Sequence, residues 1–327
     1  MPRVVVFDEF GGPEVLRVIE EPVVEPAAGE VRVRIEAFAV NPLDQMMRSG
    51  TSPAAVPLPH ARLGVEATGV VDALGPEATG LRIGDPVLLT AVPDASVRGT
   101  YAEYTTVPAT RVVARPAGLG ITQAAAVWVA YSTAYGALIE KAGMRPGDRV
   151  LVTGASGSVG RAAIQIAQHI GAVPIAVTRH AARKDGLLSA GAAAVIATDQ
   201  EDVAEAVRRH TGGAGADIVL DVVMGPGQQD LVQAARPGAT LVAAGFLDLR
   251  PTPFPRGASL TIYGYRSFEH TLDAVVVDRM AAFLNAGVRL GTLRPAVDKV
   301  FALDDVVGAH RHLEQRPAAG GKIVVTV

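Results

Sequence analysis

Residues 150–160 read VLVTGASGSVG, an apolar run that ends in Gly154, Gly157 and Gly160. A short continuous apolar stretch is the mark of a buried strand, and a chain that turns sharply from strand to helix needs positions without a Cβ. Beyond the turn, Val159, Ala163, Ile166, Ala167 and Ile170 share one face at helical spacing. Strand, glycine turn and amphipathic helix form the opening of a dinucleotide-binding unit, where uncovered backbone N–H groups at the helix N-terminus receive a diphosphate. The residues expected at the ligand are Gly154, Ser156, Gly157, Ser158 and Val159. Glycines at this spacing also serve a purely structural turn, so the surroundings decide.

Those surroundings repeat one rhythm. Apolar runs at 149–153, 173–178, 193–198, 216–223, 239–246 and 259–265 alternate with turns and helical stretches, which predicts a doubly wound parallel sheet of right-handed βαβ units, an α/β Rossmann fold. Asp199 is expected to cap the helical stretch QEDVAEAVRRH, with Gly212 and Gly213 stopping it. After the second run the chain reads VTRHAARKDG: no acid precedes Asp185, while Arg179, Arg183 and Lys184 crowd the turn behind Thr178. A carboxylate there pairs with ribose hydroxyls, whereas guanidinium forks suit a 2′-phosphate, so NADPH is favoured over NADH. A solvated basic turn is the competing reading.

The first 120 residues differ. VRVRIEAFAV (31–40) alternates apolar with mostly polar side chains, and further short strands are punctuated by glycine and proline, as in a small antiparallel barrel-like β domain. The last strand, GKIVVTV, belongs with it. The expected division is residues 1–122 and 268–327 for this domain, with a nucleotide-binding insert at 123–267.

Composition narrows the function. The formal net charge is −3 and there is no basic block, which argues against a nucleic-acid partner. The N-terminus carries acidic residues and no long apolar core, and the apolar window 124–139 is short for a membrane span, so a cytoplasmic enzyme with no membrane partner is expected. Cysteine is absent, which removes disulfides, thiolate nucleophiles and cysteine-ligated zinc together.

The stretches AVNPLDQMMRSG (39–50), LGVEATGVVDALG (63–75), GDPVL (84–88), GTYAEYTTVP (99–108), MRPGDRVLVTGASGSVG (144–160) and GGKIVV (320–325) resemble the medium-chain dehydrogenase/reductase superfamily over nearly the full length. The zinc-independent quinone oxidoreductase and enoyl reductase branch is the most similar part of it. The resemblance implies a GroES-like catalytic domain around the Rossmann insert. Where the zinc branch has a ligand cysteine and a ligand histidine, this chain has Asn41 and Val65, neither able to form that site, so no metal is expected.

The implied chemistry is hydride transfer from NADPH to a quinone or an α,β-unsaturated carbonyl, with a donor for the developing oxyanion. The resemblance puts Asn41 beside the nicotinamide, its amide a suitable donor; a strand-end turn before Pro42 is the bland alternative. The tyrosine that many members carry soon after RSG is missing, with Ser52 in its neighbourhood. Tyr131 is the nearest replacement, as donor or as substrate-shaping wall, and a buried tyrosine with a satisfied hydroxyl is the equal alternative. Thr133, Gly245, Phe246 and Lys322 are implied cofactor neighbours, and Thr198 stands where related reductases stack a tyrosine.

Two other functions stay open, a pathway-specific enoyl or ketone reductase of natural-product biosynthesis and a redox-inactive NADPH-binding sensor or structural protein. The loop Thr51–Leu63 is where a specialised acceptor would be read. The apolar edge strand SLTIYGY predicts a homodimer, since an uncovered edge invites pairing.

Overall fold

A computed structural model describes residues 1–52, 54–92, 94–257, 259–315 and 320–327. Pro53, within the loop expected to read the acceptor, lies outside the described residues. The chain divides into two compact units: residues 1–129, 271–289 and 295–327 form the first, residues 130–270 and 290–294 the second. The segment 123–129, expected in the nucleotide-binding half, packs with the first unit, and residues 290–294 return to the second.

The first unit contains β1 (Arg3–Phe7), β2 (Arg17–Glu20), β3 (Glu30–Val40), β4 (Ala61–Arg62), β5 (Ala67–Leu74), β6 (Pro86–Leu89), β7 (Tyr104–Pro108) and β8 (Val112–Ala114). A small sheet runs β2-β1-β4, and β3 pairs antiparallel with both β5 and β7. Alternation along β3 buries Val31, Val33, Ile35 and Phe38 in one apolar core, while Arg32 and Arg34 face outward. The helix Pro42–Ser49 follows at once, with proline in its first turn and Gly50 closing it at φ +75°. That helix was not anticipated, because Asn-Pro reads as a turn.

The second unit holds β9 (Arg149–Val152), β10 (Val173–Thr178), β11 (Ala194–Ala197), β12 (Ala216–Asp221), β13 (Ala235–Ala243) and β14 (Thr261–Gly264). Their order is β11-β10-β9-β12-β13-β14 and every pair is parallel, the doubly wound arrangement in which the strand order reverses beside β9. Each of the six anticipated runs contains its strand core; β13 starts earlier, directly from the helix Gln228–Ala234. The cap reading needs correction: Asp202, not Asp199, caps the helix Val203–His210, accepting from the Glu205 N–H at 2.8 Å. Asp199 lies outside the helix and accepts from the Ala181 N–H.

The chain then re-enters the first unit through the helix Ala274–Arg289, β15 (Val297–Ala302), the helix Val306–Glu314 and β16 (Lys322–Thr326). β16 pairs antiparallel with β3 and parallel with β15, so this domain's sheet is mixed at one edge rather than wholly antiparallel. No helix among the described residues is long and apolar enough to cross a membrane.

Candidate active site

Register assembles the polar cluster of the first unit. Ile323 of β16 lies opposite Val40 of β3, and Ala67 of β5 lies opposite Phe38, so Lys322, Asn41 and Glu66 meet at neighbouring strand ends. The Lys322 ammonium is 2.7 Å from Glu66 Oε1 and donates to Asn41 Oδ1. Asn41 Nδ2 donates to Glu66 Oε1 at 3.0 Å and to the Ala39 carbonyl at 3.3 Å, and Glu66 Oε2 accepts from the Val129 N–H at 2.8 Å. Burial of all three side chains makes these bonds mandatory, since an unpaired charge here would be costly.

Asp44 fixes the cluster from behind. Its Oδ2 accepts from the Asn41 N–H at 2.8 Å and from the Tyr101 hydroxyl at 3.2 Å, and its Oδ1 accepts from the Gly64 N–H at 3.0 Å. One carboxylate thus ties the start of the helix Pro42–Ser49 to the segment leading into Glu66. Burial pushes the Asp44 carboxyl up to about 7, against the pull of the two backbone N–H groups and Lys322. Burial, with the Asp44 charge adding to it, also raises the Tyr101 phenol well above its ordinary value. His310 Nε2 lies 3.2 Å from the Tyr101 hydroxyl; burial and the Arg48 charge push this imidazole down to about 3, so it is neutral at physiological pH.

In the second unit the glycine turn opens the helix Ser158–Ile170, whose cap residue Gly157 offers no side chain. Gly154 has φ +53°, and a Cβ there would come within 2.6 Å of Val222 Cγ2; a Cβ on Gly160 would press to 2.5 Å on Ala155 Cα. Thr153 and Asp221 lock the strand ends below this turn: the threonine hydroxyl donates to Asp221 Oδ1 at 2.8 Å, and the same oxygen accepts from the Val223 and Met224 N–H groups at 3.0 Å. Arg183 donates to Ser156 Oγ at 2.5 Å, and Arg161 reaches the Ser156 carbonyl at 3.4 Å. Burial, and then the Arg183 charge, lower the Arg161 guanidinium from its usual value. The Thr178 hydroxyl, at the carboxyl end of β10, is buried with no hydrogen-bond partner.

A family model of the alcohol dehydrogenase GroES-like domain matches residues 27–117, and one of zinc-binding dehydrogenases matches residues 158–281. A quinone oxidoreductase of Lama guanicoe is 32% identical over 330 residues, covering 99% of this chain and 97% of the relative. The solved Escherichia coli quinone oxidoreductase complexed with NADPH superposes with a TM-score of 0.91 at 26% identity, over 99% of this chain and 100% of that one. A Pseudomonas syringae pv. Tomato DC3000 quinone oxidoreductase gives 0.90 at 27% identity, over 100% of both chains.

The chain belongs to the medium-chain dehydrogenase/reductase superfamily, in its quinone oxidoreductase branch.

The nucleotide half of this oxidoreductase fits a nicotinamide dinucleotide. Open N–H groups at the helix start, a cradle that a Cβ would fill, the orphaned Thr178 hydroxyl and the Arg183 guanidinium are all groups that a diphosphate and its ribose would satisfy. The residues do not fit zinc: Val65 has no donor atom, the Asn41 amide is taken up by Lys322, Glu66 and Ala39, and the chain contains no cysteine.

Several expected site residues stand differently from the reading of the sequence. Asn41 was expected to offer a free amide hydrogen, yet both are used within its cluster. Lys184 pairs with Glu201 at 3.3 Å, which leaves Arg179 and Arg183 as the basic residues of that turn without a carboxylate partner among the described residues. Tyr131 is buried in the second unit and donates to Gln165 Oε1 at 2.6 Å. Thr133 is on the same helix, Trp128–Tyr135. Gly245 admits the Val222 backbone, whose carbonyl oxygen a Cβ would overlap, while Phe246 and Thr198 are exposed. Glu66, Asp221 and Tyr101 were missed. Glu66 carried a signal, as a charge beside Val65 at the entry to a strand whose first five residues, ATGVV, are uncharged.

Proposed function

We propose that this oxidoreductase binds NADPH and passes its hydride, without zinc, to the electrophilic carbon of a quinone or an α,β-unsaturated carbonyl. The observation that carries the reading is at Ser156, where Arg161 and Arg183 converge beside the uncapped N-terminus of the helix Ser158–Ile170. The Arg183 guanidinium, held on the glycine turn by Ser156, offers a fork that suits the 2′-phosphate that distinguishes NADPH. When bound, NADPH supplies a hydride, and the acceptor takes it up together with one proton.

Gly154, Ser156, Gly157, Ser158 and Val159 would hold the diphosphate, with Thr178, Arg179 and Arg183 around the adenosine end. In the first unit Asn41 acts as an orienting group. The Lys322 ammonium donates to Asn41 and Glu66, which leaves one of its three hydrogens for a ligand oxygen. Asp44 positions Asn41 through its backbone N–H and the segment leading into Glu66 through the Gly64 N–H.

The test is steady-state oxidation of NADPH with 1,4-benzoquinone and with 2-cyclohexen-1-one. Acceptor should be reduced mole for mole, and NADH should be at least about tenfold less efficient, the value of one charge-assisted contact. Tight NADPH binding without turnover on either acceptor would instead favour a binding module.

A second copy would cover β14. Its four residues are exposed, including Ile262 and Tyr263, and its outer edge is unpaired in the sheet order. Two chains pairing edge to edge would continue the sheet. Light scattering at micromolar concentration should give the dimer mass, and Ile262→Lys should shift it to the monomer; a monomeric wild type would refute the pairing.

A further inference from the structure

Behind the Asn41 cluster a chain of buried polar groups runs from Asp44 through Tyr101 to His310, with Arg48 at its far end. Asp44 and Arg48 are one turn apart on the helix Pro42–Ser49, and His310 comes from the helix Val306–Glu314. The Tyr101 ring stacks on Phe38 at 4.1 Å and meets the His310 ring edge-on at 5.7 Å, so packing fixes the middle of the chain. All four side chains are buried. Arg48 Nη2 donates to Glu314 Oε1, yet Arg48 Nε, Arg48 Nη1 and His310 Nδ1 are buried with no hydrogen-bond partner among the described residues. Each such atom forfeits solvation, so their placement on two neighbouring side chains calls for a reason.

Proton counting gives the chain a direction. A phenol has one hydrogen, and Tyr101 gives it to Asp44 Oδ2. The phenol oxygen can then only accept, so the proton of the neutral imidazole sits on Nε2, 3.2 Å away, and Nδ1 is bare. The reverse order, with a protonated Asp44 donating to Tyr101 and Tyr101 to His310, moves the imidazole proton to Nδ1. Arg48 opposes that order. A guanidinium only donates, so it gives a proton on Nδ1 no acceptor, and its charge, which after burial holds His310 below its ordinary range, adds repulsion. The other charges around the chain are Lys322 and Glu66 at the Asp44 end and Glu314 and Glu14 near Arg48.

We propose that Arg48 and His310 are positioning residues, which aim the Tyr101 hydrogen at Asp44 and so keep Asp44 an ionised acceptor for the Asn41 and Gly64 N–H groups. Those two bonds hold the segments that carry Asn41 and Glu66, and with them the seat of the Lys322 ammonium. The proposal rests on the reading of that cluster as part of the reductase active site and adds to it the residues that govern its protonation.

The experiment uses the full chain and follows the Asp44 carboxyl by carbon NMR and the His310 ring by nitrogen NMR, with Asp44→Asn and His310→Gln assigning the signals. In the wild type the imidazole proton should stay on Nε2 on both sides of the Asp44 titration; in Arg48→Met it should move to Nδ1 once Asp44 is protonated. Arg48→Met and His310→Leu should each raise the Asp44 midpoint by about one pH unit, a tenfold change, while His310→Gln, whose amide keeps an N–H for Tyr101, should stay near the wild type. Because Arg48 acts through His310, combining Arg48→Met with His310→Leu should shift the midpoint little further than either alone. Additive shifts would reduce Arg48 to a through-space charge and overturn the chain, as would an unmoved midpoint in His310→Leu or a proton that changes nitrogen in the wild type, a measurement that needs no variant to fold. The acid limb of kcat/KM with 1,4-benzoquinone should rise with the midpoint. A midpoint that moves while the limb stays supports the chain and overturns the cluster's place in turnover.

Discussion

Lys322 Nζ and Glu66 Oε1 lie 2.7 Å apart with both side chains almost wholly buried. Removing one partner from such a pair leaves an uncompensated buried charge. Glu66→Met should therefore cost about 3–5 kcal/mol, as should Lys322→Met, whereas the double replacement Glu66→Met with Lys322→Met should cost much less than the two single changes summed. Urea denaturation of the four proteins completes the cycle. Additive losses would show that the pair is not coupled.

Asp44 gives stability an unusual pH dependence. Its carboxyl titrates near 7 in the folded chain because burial disfavours the charge, against about 3.9 in the unfolded chain. Between those values the native state holds a proton that the unfolded state has released, so stability falls as pH rises, by at most about 1.4 kcal/mol per pH unit, and the loss is complete above the folded value. Asp44→Asn should remove this contribution. Urea midpoints across the interval should slope downward less steeply in the variant; an unchanged slope would place the titration elsewhere.

Cofactor choice should depend on Arg183. Its guanidinium is bonded to Ser156 on the glycine turn and has no carboxylate partner among the described residues, so its charge is available to a phosphate. Arg183→Gln is expected to raise the Kd for NADPH about tenfold and leave that for NADH nearly unchanged. Equal weakening of both cofactors would mean that the residue shapes the turn instead.

The two halves of the molecule were not equally legible. Strands β9 to β12 are buried along nearly their whole length, so each reads as an unbroken apolar run, and the glycines between β9 and its helix announce the ligand. The first unit's cluster is invisible locally: Asn41, Glu66 and Lys322 come together only because β16 returns from the far end of the chain to pair with β3. The bond from Asp44 to the Asn41 N–H is a local helix cap, but the Gly64 N–H that it also holds is twenty residues away and is brought to it only by the fold. Lys184 shows the opposite failure. Its place in a basic turn suggested phosphate, and the neutralising Glu201 comes from the chain beyond the next strand, β11.

Tyr131 is where the sequence left two roles open, and the geometry separates their consequences. Its hydroxyl donates to Gln165 Oε1 at 2.6 Å, and that oxygen also accepts from the Arg294 N–H at 2.8 Å while Gln165 Nε2 donates to the Arg294 carbonyl at 3.2 Å. The amide is thus a clasp between the helix Ser158–Ile170 and the 290–294 segment, and the phenol supports it. Burial raises the phenol above its ordinary value, which makes its proton harder to release. Tyr131→Phe should then lower stability by about 1 kcal/mol, the net worth of one hydrogen bond, and leave kcat within about threefold with an unchanged pH profile. A variant that keeps its thermal midpoint and NADPH affinity but loses turnover, with the alkaline limb of the pH profile gone, would make Tyr131 the proton donor.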